Sequence, residues 1–337
     1  MKIKINNFCS NLGKDSLLIQ GAGGNISWKD GNKLWIKASG TWLAEANIKD
    51  IFIPVDLSHL RSEIKRKNYS IKPKVLSESS LKPSIETLMH ALMDHKVVLH
   101  LHSIEILSNL VKSNILKTLK TKISSEINWA LIPYNKPGEK LAESISDILN
   151  NTKENIDVLF LKNHGVVIGG ENLEIINKTL NQLTNELKLE KMNLPNSFDF
   201  KNEKIKLNNN LELHAVEDFE INNLVHNSIL FQRLKTSWCL YPDHIVFLDH
   251  KANCFDNLDE FVQFIKNSES TPKIIFIRNY GIFSLKKMNL SEKFQLRCYY
   301  DVIIRQSENS KLDVLSKSQI NELLNWDAEK YRINLSK

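Results

Sequence analysis

The fold of this chain is decided by KVVLHLHS (96–103) and FLKNHGVVIGG (160–170). The first is an apolar run that predicts a strand, in which residues i and i+2 point to the same face, so that His100 and His102 lie side by side. The second stretch places His164 between two further strand-like runs. An HxH pair alone is weak evidence, but three histidines with an open fourth position are typical of catalytic zinc sites. The sequence therefore predicts a metal site on these three residues.

A glutamate precedes the histidines in IETLMHALMD (85–94), a stretch with helical spacing. Ser84, which follows Pro83, is a plausible N-cap, and Glu86 would then lie in the first turn, where the helix dipole favours a carboxylate. Beside a metal, Glu86 is a candidate general base. Taken alone, it is more simply interpreted as a glutamate that stabilises the start of the helix.

The bulk composition indicates a globular protein of 337 residues, with 42% hydrophobic and 25% charged residues and a net charge of +6. The basic clusters at 61–74 and 112–122 lack interleaved aromatic residues and a recognisable module, so we expect no nucleic-acid partner. We expect no membrane span and no signal peptide. The four cysteines form no CxxC and are expected to be reduced thiols, which favours a cytoplasmic location.

Alternating helical and strand-like patterns predict an α/β protein in three parts. These are a metal domain over 1–193, a polar linker over 194–210 and a C-terminal α/β unit over 211–337. LFLKNHGVVIG (159–169) is similar to IFIRNYGIFSL (275–285), where Tyr280 replaces the histidine. The C-terminal unit is therefore interpreted as a degenerate repeat that has lost its metal site. A chance similarity over so short a stretch remains the alternative.

Two turns rich in small residues lie near the N-terminus, in LLIQGAGGNIS (17–27) and ASGT (38–41). A dinucleotide fingerprint would need a third glycine where the chain has Ile26. Backbone N–H groups of such turns can instead hold a phosphate. The simpler alternative is a pair of ordinary tight turns.

Taken together, the motifs resemble the class II aldolase/adducin family over about residues 10–190. The resemblance is carried, in order, by LGKDSLLIQGAGGNISWKDGNKLWIKASGTWLAEA, KPSIETLMHALMDHKVVLHLHS, IPYNKPGEKLA and FLKNHGVVIGG. The chain looks closest to the aldolase portion of bacterial proteins that fuse a rhamnulose-phosphate aldolase-like domain to a short-chain dehydrogenase. The resemblance implies a three-layer α/β fold with a mainly antiparallel sheet covered by helices.

The resemblance also implies a role for each motif residue. Zinc would bind His100, His102 and His164, although imidazole ligands also accept Mn²⁺, Fe²⁺ or Co²⁺. Glu86 would be the catalytic carboxylate. A substrate phosphate would be held by Gly24, Asn25, Ser39, Gly40 and Ser84. Ile85 stands where family aldolases often carry a second serine, so one phosphate donor is missing.

The chemistry of the site favours a zinc-dependent lyase that makes or cleaves a C–C bond in a sugar or sugar phosphate through a metal-stabilised enediolate. Tyr134, in IPYNKPG, is a candidate proton donor to the leaving oxygen, with simple packing as its alternative. Decarboxylation, dehydration or epimerisation of a sugar acid or phosphate would use the same site. A non-catalytic adducin-like interaction protein is a third hypothesis, which the intact histidine set disfavours. Expected partners are a homo-oligomer and, because the dehydrogenase portion has no counterpart here, a separate dehydrogenase chain.

Overall fold

The computed structural model describes residues 1–195, 205–207, 211–268 and 272–335. The first half alternates helices with the strands of one sheet. Its strands are β1 (Asn25–Asp30), β2 (Lys33–Lys37), β3 (Phe52–Asp56), β4 (Val97–Leu101), β5 (Trp129–Ile132), β6 (Val158–Leu161) and β7 (Gly165–Gly170). Its helices are α1 (Lys2–Leu12), α2 (Leu57–Lys65), α3 (Thr87–Leu92), α4 (Ile104–Leu110), α5 (Ile115–Lys122), α6 (Glu139–Asn151) and α7 (Leu173–Glu186), with a 3-10 helix at Leu43–Glu45.

The seven strands form one sheet in the order β3-β2-β1-β4-β7-β6-β5. Every neighbouring pair is antiparallel except β5 and β6, which are parallel and joined through α6. The predicted α/β class, with a mainly antiparallel sheet covered by helices, is confirmed. Strand β4 lies at the centre and all five of its residues are buried, as expected for a strand covered on both faces.

The second half forms a smaller α/β unit around a five-stranded sheet in the order β10-β11-β12-β9-β8. Its strands are β8 (Ile205–Leu207), β9 (Leu211–Ala215), β10 (Asn253–Phe255), β11 (Ile274–Ile277) and β12 (Gly281–Ser284). Its helices are α8 (Asn223–His226), α9 (Ser228–Thr236), α10 (Pro242–Leu248), α11 (Leu258–Asn267), α12 (Leu290–Ile303), α13 (Lys317–Leu324) and α14 (Asp327–Leu335). In the parts of the chain that the structure describes, none of the helices combines the length and the apolar character needed to cross a bilayer.

The hairpin β6–β7 and the hairpin β11–β12 have the same geometry. Leu161 pairs with Gly165 in the first, and Ile277 pairs with Gly281 in the second, so each turn has three residues. The middle residue of each turn is an asparagine with positive φ, 52° in one and 53° in the other, a conformation that asparagine tolerates better than most residues. The flanking strands also correspond, because each hairpin has a parallel neighbour on one side and an antiparallel neighbour on the other.

The predicted linker is described only in part, and the two units on either side of it contact each other. Within the predicted linker, 205–207 form β8, which pairs with β9, while 196–204 and 208–210 lie outside the described residues. Helix α4 of the first half contributes Ile104, Leu107 and Val111 to the core of the C-terminal unit. One hydrophobic cluster therefore contains residues of both units.

A buried ion pair also joins the two units. Arg305 donates to Oε1 of Glu105 on α4 through Nε at 3.0 Å and Nη2 at 2.8 Å. The side chains are 1% and 11% exposed. A second pair between the units, Lys140 with Glu322, lies on the surface with side chains 56% and 40% exposed.

We expect Arg305→Met to lower the free energy of unfolding by about 3–5 kcal/mol, because it leaves the carboxylate of Glu105 buried without its partner. Lys140→Met, which breaks the exposed pair, should cost at most about 1 kcal/mol. Urea denaturation followed by circular dichroism measures both values. Equal losses in the two variants would contradict a shared, buried interface.

Candidate metal centre

The three predicted metal ligands converge at one end of the sheet. His100 lies in β4, His102 follows the end of that strand, and His164 occupies the turn between β6 and β7. Because β4 and β7 are antiparallel neighbours, with Leu101 opposite Val166, the end of β4 lies beside this turn. One nitrogen from each imidazole lies within 4.8 Å of the other two. All three side chains are buried.

The ring nitrogens are arranged for coordination through Nε2. His100 Nδ1 lies 3.1 Å from the carbonyl oxygen of Val166, which can only accept, so this nitrogen carries the proton and Nε2 carries the lone pair. The Nε2 atoms of His100 and His102 face each other at 3.2 Å. Burial lowers the pKa of His100 to about 4 and that of His102 to about 3, so both rings are neutral at pH 7, as metal ligands must be.

Gly165 allows the histidine rings to approach the turn. A Cβ atom at this position would lie 2.3 Å from the Leu101 carbonyl oxygen and 3.0 Å from the ring of His102. Such a contact with backbone cannot be relieved by a side-chain rotation, so the glycine that follows His164 is a steric requirement of the site.

Glu86 completes the cluster. Its Oε1 lies 3.2 Å from His164 Nε2, and its Oε2 lies 3.5 Å from His100 Nε2. Burial alone would raise the pKa of this carboxyl, but the imidazoles and a hydrogen bond from Asn25 outweigh burial and hold the pKa well below its usual range. The carboxylate is therefore ionised.

The local structure around Glu86 differs from the predicted helix start. Helix α3 begins at Thr87, and Glu86 itself is the N-cap residue. Ser84 was the predicted cap, but its hydroxyl accepts from the backbone N–H of Glu86 at 3.2 Å. This bond closes a turn over residues 84–86, directly before the helix.

A line of hydrogen bonds orients Glu86. Asn25 donates from Nδ2 to Glu86 Oε2 at 2.8 Å, and Asn25 Oδ1 accepts from Nε2 of His90. The other nitrogen of His90 then accepts from Ser27 Oγ at 2.8 Å. His90 is fully buried, and burial lowers its pKa to about 3. His90 thus supports the carboxylate through Asn25; its one sequence signal is its position four residues after Glu86, a spacing at which helical residues share a face.

The glycine-rich turns border the same cavity as Glu86. Gly24 and Gly40 have φ values of 63° and 76°, which few other residues adopt without strain. The residues predicted to hold a phosphate all line this cavity, and so does Ile85. The lining residues are Ala22, Gly23, Gly24, Asn25, Lys37, Ser39, Gly40, Ser84, Ile85, Glu86, His102, Pro137, His164, Pro242, Asp243 and Arg332.

Three charged residues of this lining were not predicted from the sequence. Lys37 is 2% exposed and donates from Nζ to the carbonyl oxygens of Ala22 and Thr41. Burial and the nearby Arg332 lower the pKa of Lys37 to about 7. Asp243 and Arg332 come from the C-terminal unit. The only sequence signal was the position of Lys37, directly before the ASGT turn.

Tyr134 lies elsewhere. It is partly buried against the core of the C-terminal unit and is not among the cavity-lining residues of the described chain. Among the described residues, the hydroxyl of Tyr134 has no hydrogen-bond partner, and burial raises the pKa of this phenol above its usual value. Its role as a proton donor remains a prediction.

The donor set fits a divalent cation. One nitrogen from each of three buried imidazoles lies within 4.8 Å of the other two, and an ionised carboxylate lies beside them. An ionised carboxylate in a buried site is a charge that a bound cation would compensate.

Comparison with known proteins identifies the family. The model of the Class II Aldolase and Adducin N-terminal domain matches residues 4–185, more than half of the chain. The L-fuculose phosphate aldolase of Methanocaldococcus jannaschii is 30% identical over 182 residues, which cover 53% of this chain and 90% of that protein. An uncharacterized oxidoreductase of Bacillus subtilis, YuxG, is 29% identical over 179 residues. That match covers 48% of this chain but only 25% of the length of YuxG.

Among solved structures, the N-terminal class II aldolase domain of a conserved Thermoplasma acidophilum protein matches with a TM-score of 0.46 and 22% identity, covering 54% of this chain and 90% of that one. An L-fuculose 1-phosphate aldolase matches with a TM-score of 0.38 and 19% identity, covering 54% and 82%. From the match of the family model over residues 4–185, the chain belongs to the class II aldolase and adducin family.

Proposed function

We propose that this protein is a metal-dependent lyase that makes or cleaves a C–C bond in a sugar or sugar phosphate. The observation that carries the proposal is the convergence of His100, His102 and His164 beside the ionised Glu86. The relative named L-fuculose phosphate aldolase supports the substrate class. An interaction protein would have no use for this buried set of ligands.

The three histidines would hold the cation, which we propose to be Zn²⁺. Three imidazoles with an open position suit zinc, although Mn²⁺, Fe²⁺ or Co²⁺ fit the same donors. When bound, the cation would act as a Lewis acid that stabilises the negative charge of an enediolate.

Glu86 is proposed as the base that removes a proton from the substrate and returns it. Its Oε2 accepts from Asn25, whereas its Oε1 lies 3.2 Å from Nε2 of His164, and coordination of that nitrogen to a metal would leave Oε1 as the oxygen available to a proton. The support from His90 through Asn25 fixes the carboxylate in one orientation. A base held rigidly in place is the arrangement that general base catalysis requires.

An anionic substrate group would lie against the glycine-rich turns. The proposed contacts are Gly24, Asn25, Ser39, Gly40 and Ser84, with Lys37 supplying a positive charge. Because the Asn25 side chain already binds Glu86 and Ser84, it would serve the anion mainly by fixing the turn. Lys37 would offset the donor lost at Ile85.

We also propose alternative reactions, an oligomeric state, a location and a partner for this protein. The same site would serve decarboxylation, dehydration or epimerisation, so the substrate screen must include sugar acids as well as ketose phosphates. We propose a homo-oligomer located in the cytoplasm, with a separate dehydrogenase chain as a candidate partner. The matched hairpins β6–β7 and β11–β12 support the interpretation of the C-terminal unit as a repeat without metal ligands.

We expect the purified protein to carry about one zinc ion per chain by elemental mass analysis. The variant His100→Ala/His102→Ala should lose the ion, because two of three ligands are removed. His59→Ala/His250→Ala, which removes two histidines outside the cavity, should keep it. Failure of the wild-type protein to bind metal after zinc addition would overturn the lyase proposal.

Glu86→Gln should retain the metal but lower kcat by about 10²–10⁴-fold, because the amide cannot accept the substrate proton. The measurement is aldehyde release from a panel of ketose phosphates. Glu63→Gln, on helix α2 and outside the cavity lining, is the matched control and should leave kcat unchanged. If kcat of Glu86→Gln equals that of the wild-type protein, the carboxylate takes no part in the proposed reaction.

Tyr134→Phe tests the proposed proton donor. Loss of the phenol should lower kcat by about 10²-fold and leave metal content unaltered. If kcat is unaltered as well, Tyr134 serves only in packing.

Sulfate binding should weaken as the pH rises through 7. The pKa of Lys37 is about 7, so the ammonium is charged below this pH and neutral above it, whereas sulfate remains a dianion. We expect the Kd for sulfate to rise roughly tenfold between pH 6 and pH 8.5, measured by calorimetry. Lys37→Met should abolish this dependence, and Lys33→Met, on the exposed end of β2, should preserve it. A flat profile in the wild-type protein would exclude Lys37 from the anion site.

A further inference from the structure

A carboxylate of the C-terminal unit lies near the imidazole nitrogen Nδ1 of the candidate metal ligand His102. Asp243, in the first turn of α10, is 2% exposed and lines the cavity. Its Oδ2 lies 3.7 Å from Nδ1 of His102. This nitrogen makes no hydrogen bond to any other described residue.

Arg332 fixes the orientation of that carboxylate. Its Nη1 donates to Asp243 Oδ1 at 3.0 Å, and its Nη2 donates to Oδ2 at 3.2 Å. Two parallel bonds from one guanidinium hold a carboxylate in a defined plane. Glu329, one turn earlier on α14, accepts from the same guanidinium at 2.9 Å and holds it in place.

Gly23 keeps the space between the ring and the carboxylate open. A Cβ atom at this position would lie 3.1 Å from His102 Nδ1 and 3.5 Å from Asp243 Oδ2. A side chain there would crowd the imidazole nitrogen and contact the carboxylate oxygen, so the glycine leaves room between the two atoms.

Coordination through Nε2 requires a partner for the opposite nitrogen. A histidine that binds a metal through Nε2 carries its proton on Nδ1, and an acceptor at Nδ1 fixes the tautomer and the ring orientation. For His100 this acceptor is the carbonyl of Val166. For His102 the corresponding place is occupied by Asp243.

We propose that Asp243, held by Arg332, is a positioning residue that accepts the Nδ1 proton of His102, so that the C-terminal unit completes the metal site within the same chain. The proposal rests on the metal site of the proposed function. A separation of 3.7 Å is beyond hydrogen-bond range, so the contact is made by a shift of about 1 Å or through one bridging water.

The test is metal affinity in the full-length chain, measured by chelator competition with Zn²⁺ and with Co²⁺. Asp243→Ala should weaken binding by about 10–100-fold, the usual effect of removing such a partner. Asp243→Asn retains an oxygen acceptor and should weaken it less. The matched control is Asp301→Asn, another buried aspartate of the C-terminal unit paired with arginines and remote from the cavity, which should leave affinity unchanged.

A proton-exchange measurement and a second variant distinguish a positioning role of Asp243 from a role in folding. In zinc-loaded wild-type protein with ¹⁵N-labelled histidine, the Nδ1 proton of His102 should be protected from exchange, and Asp243→Ala should expose it. If Asp243→Ala fails to fold by circular dichroism, Gly23→Ala replaces it, because it leaves the carboxylate intact and should weaken metal binding by intruding on the gap.

The outcomes distinguish this inference from the proposed function. If the wild-type chain binds no metal, the lyase proposal fails and the inference fails with it. If the wild-type chain binds metal and folded Asp243→Ala binds it with unchanged affinity and unchanged proton exchange, the inference alone is overturned.

Discussion

The burial of three imidazoles and one carboxylate at a single point is the constraint on which the rest of the structure depends. Glu86 is both ionised and buried, so the cluster holds a charge in an environment that disfavours it. A hydrogen bond from Asn25 stabilises the buried carboxylate, and we propose that a bound cation does so as well. The same constraint requires a glycine at position 165, because a side chain there would clash with the imidazole rings of His100 and His102.

The C-terminal unit helps to hold this buried cluster in place. The turn that carries His164 is fixed from the other side, since the amide of Asn163 donates to the carbonyl oxygens of Leu240 and Asp313. The unit also shares its core with α4 and closes the cavity with Asp243 and Arg332. Destabilising the C-terminal unit is therefore expected to disturb the geometry of the site.

Much of the first half could be predicted from local patterns. The period of two in VLHLH determines that His100 and His102 share a face, and the alternating elements indicate the α/β class. Local patterns placed the start of α3 at Ser84, but the helix begins at Thr87, because residues 84–86 form a separate turn that the Ser84 hydroxyl closes. Tyr134 follows a strand, but where its phenol lies depends on packing against the second half.

The sequence by itself determined the strand that carries the HxH pair, the strands on either side of His164, the glycine of that turn and the family, because these depend on residues close together in the chain or on motifs in a fixed order. Only the tertiary structure decided that Lys37, Asp243 and Arg332 meet at one cavity. Charged residues in a strand and in two helices carry no sign of a common site, since their pairing energies arise only when packing removes them from water and brings them together. The contribution of the second half to the site is therefore a property of the fold.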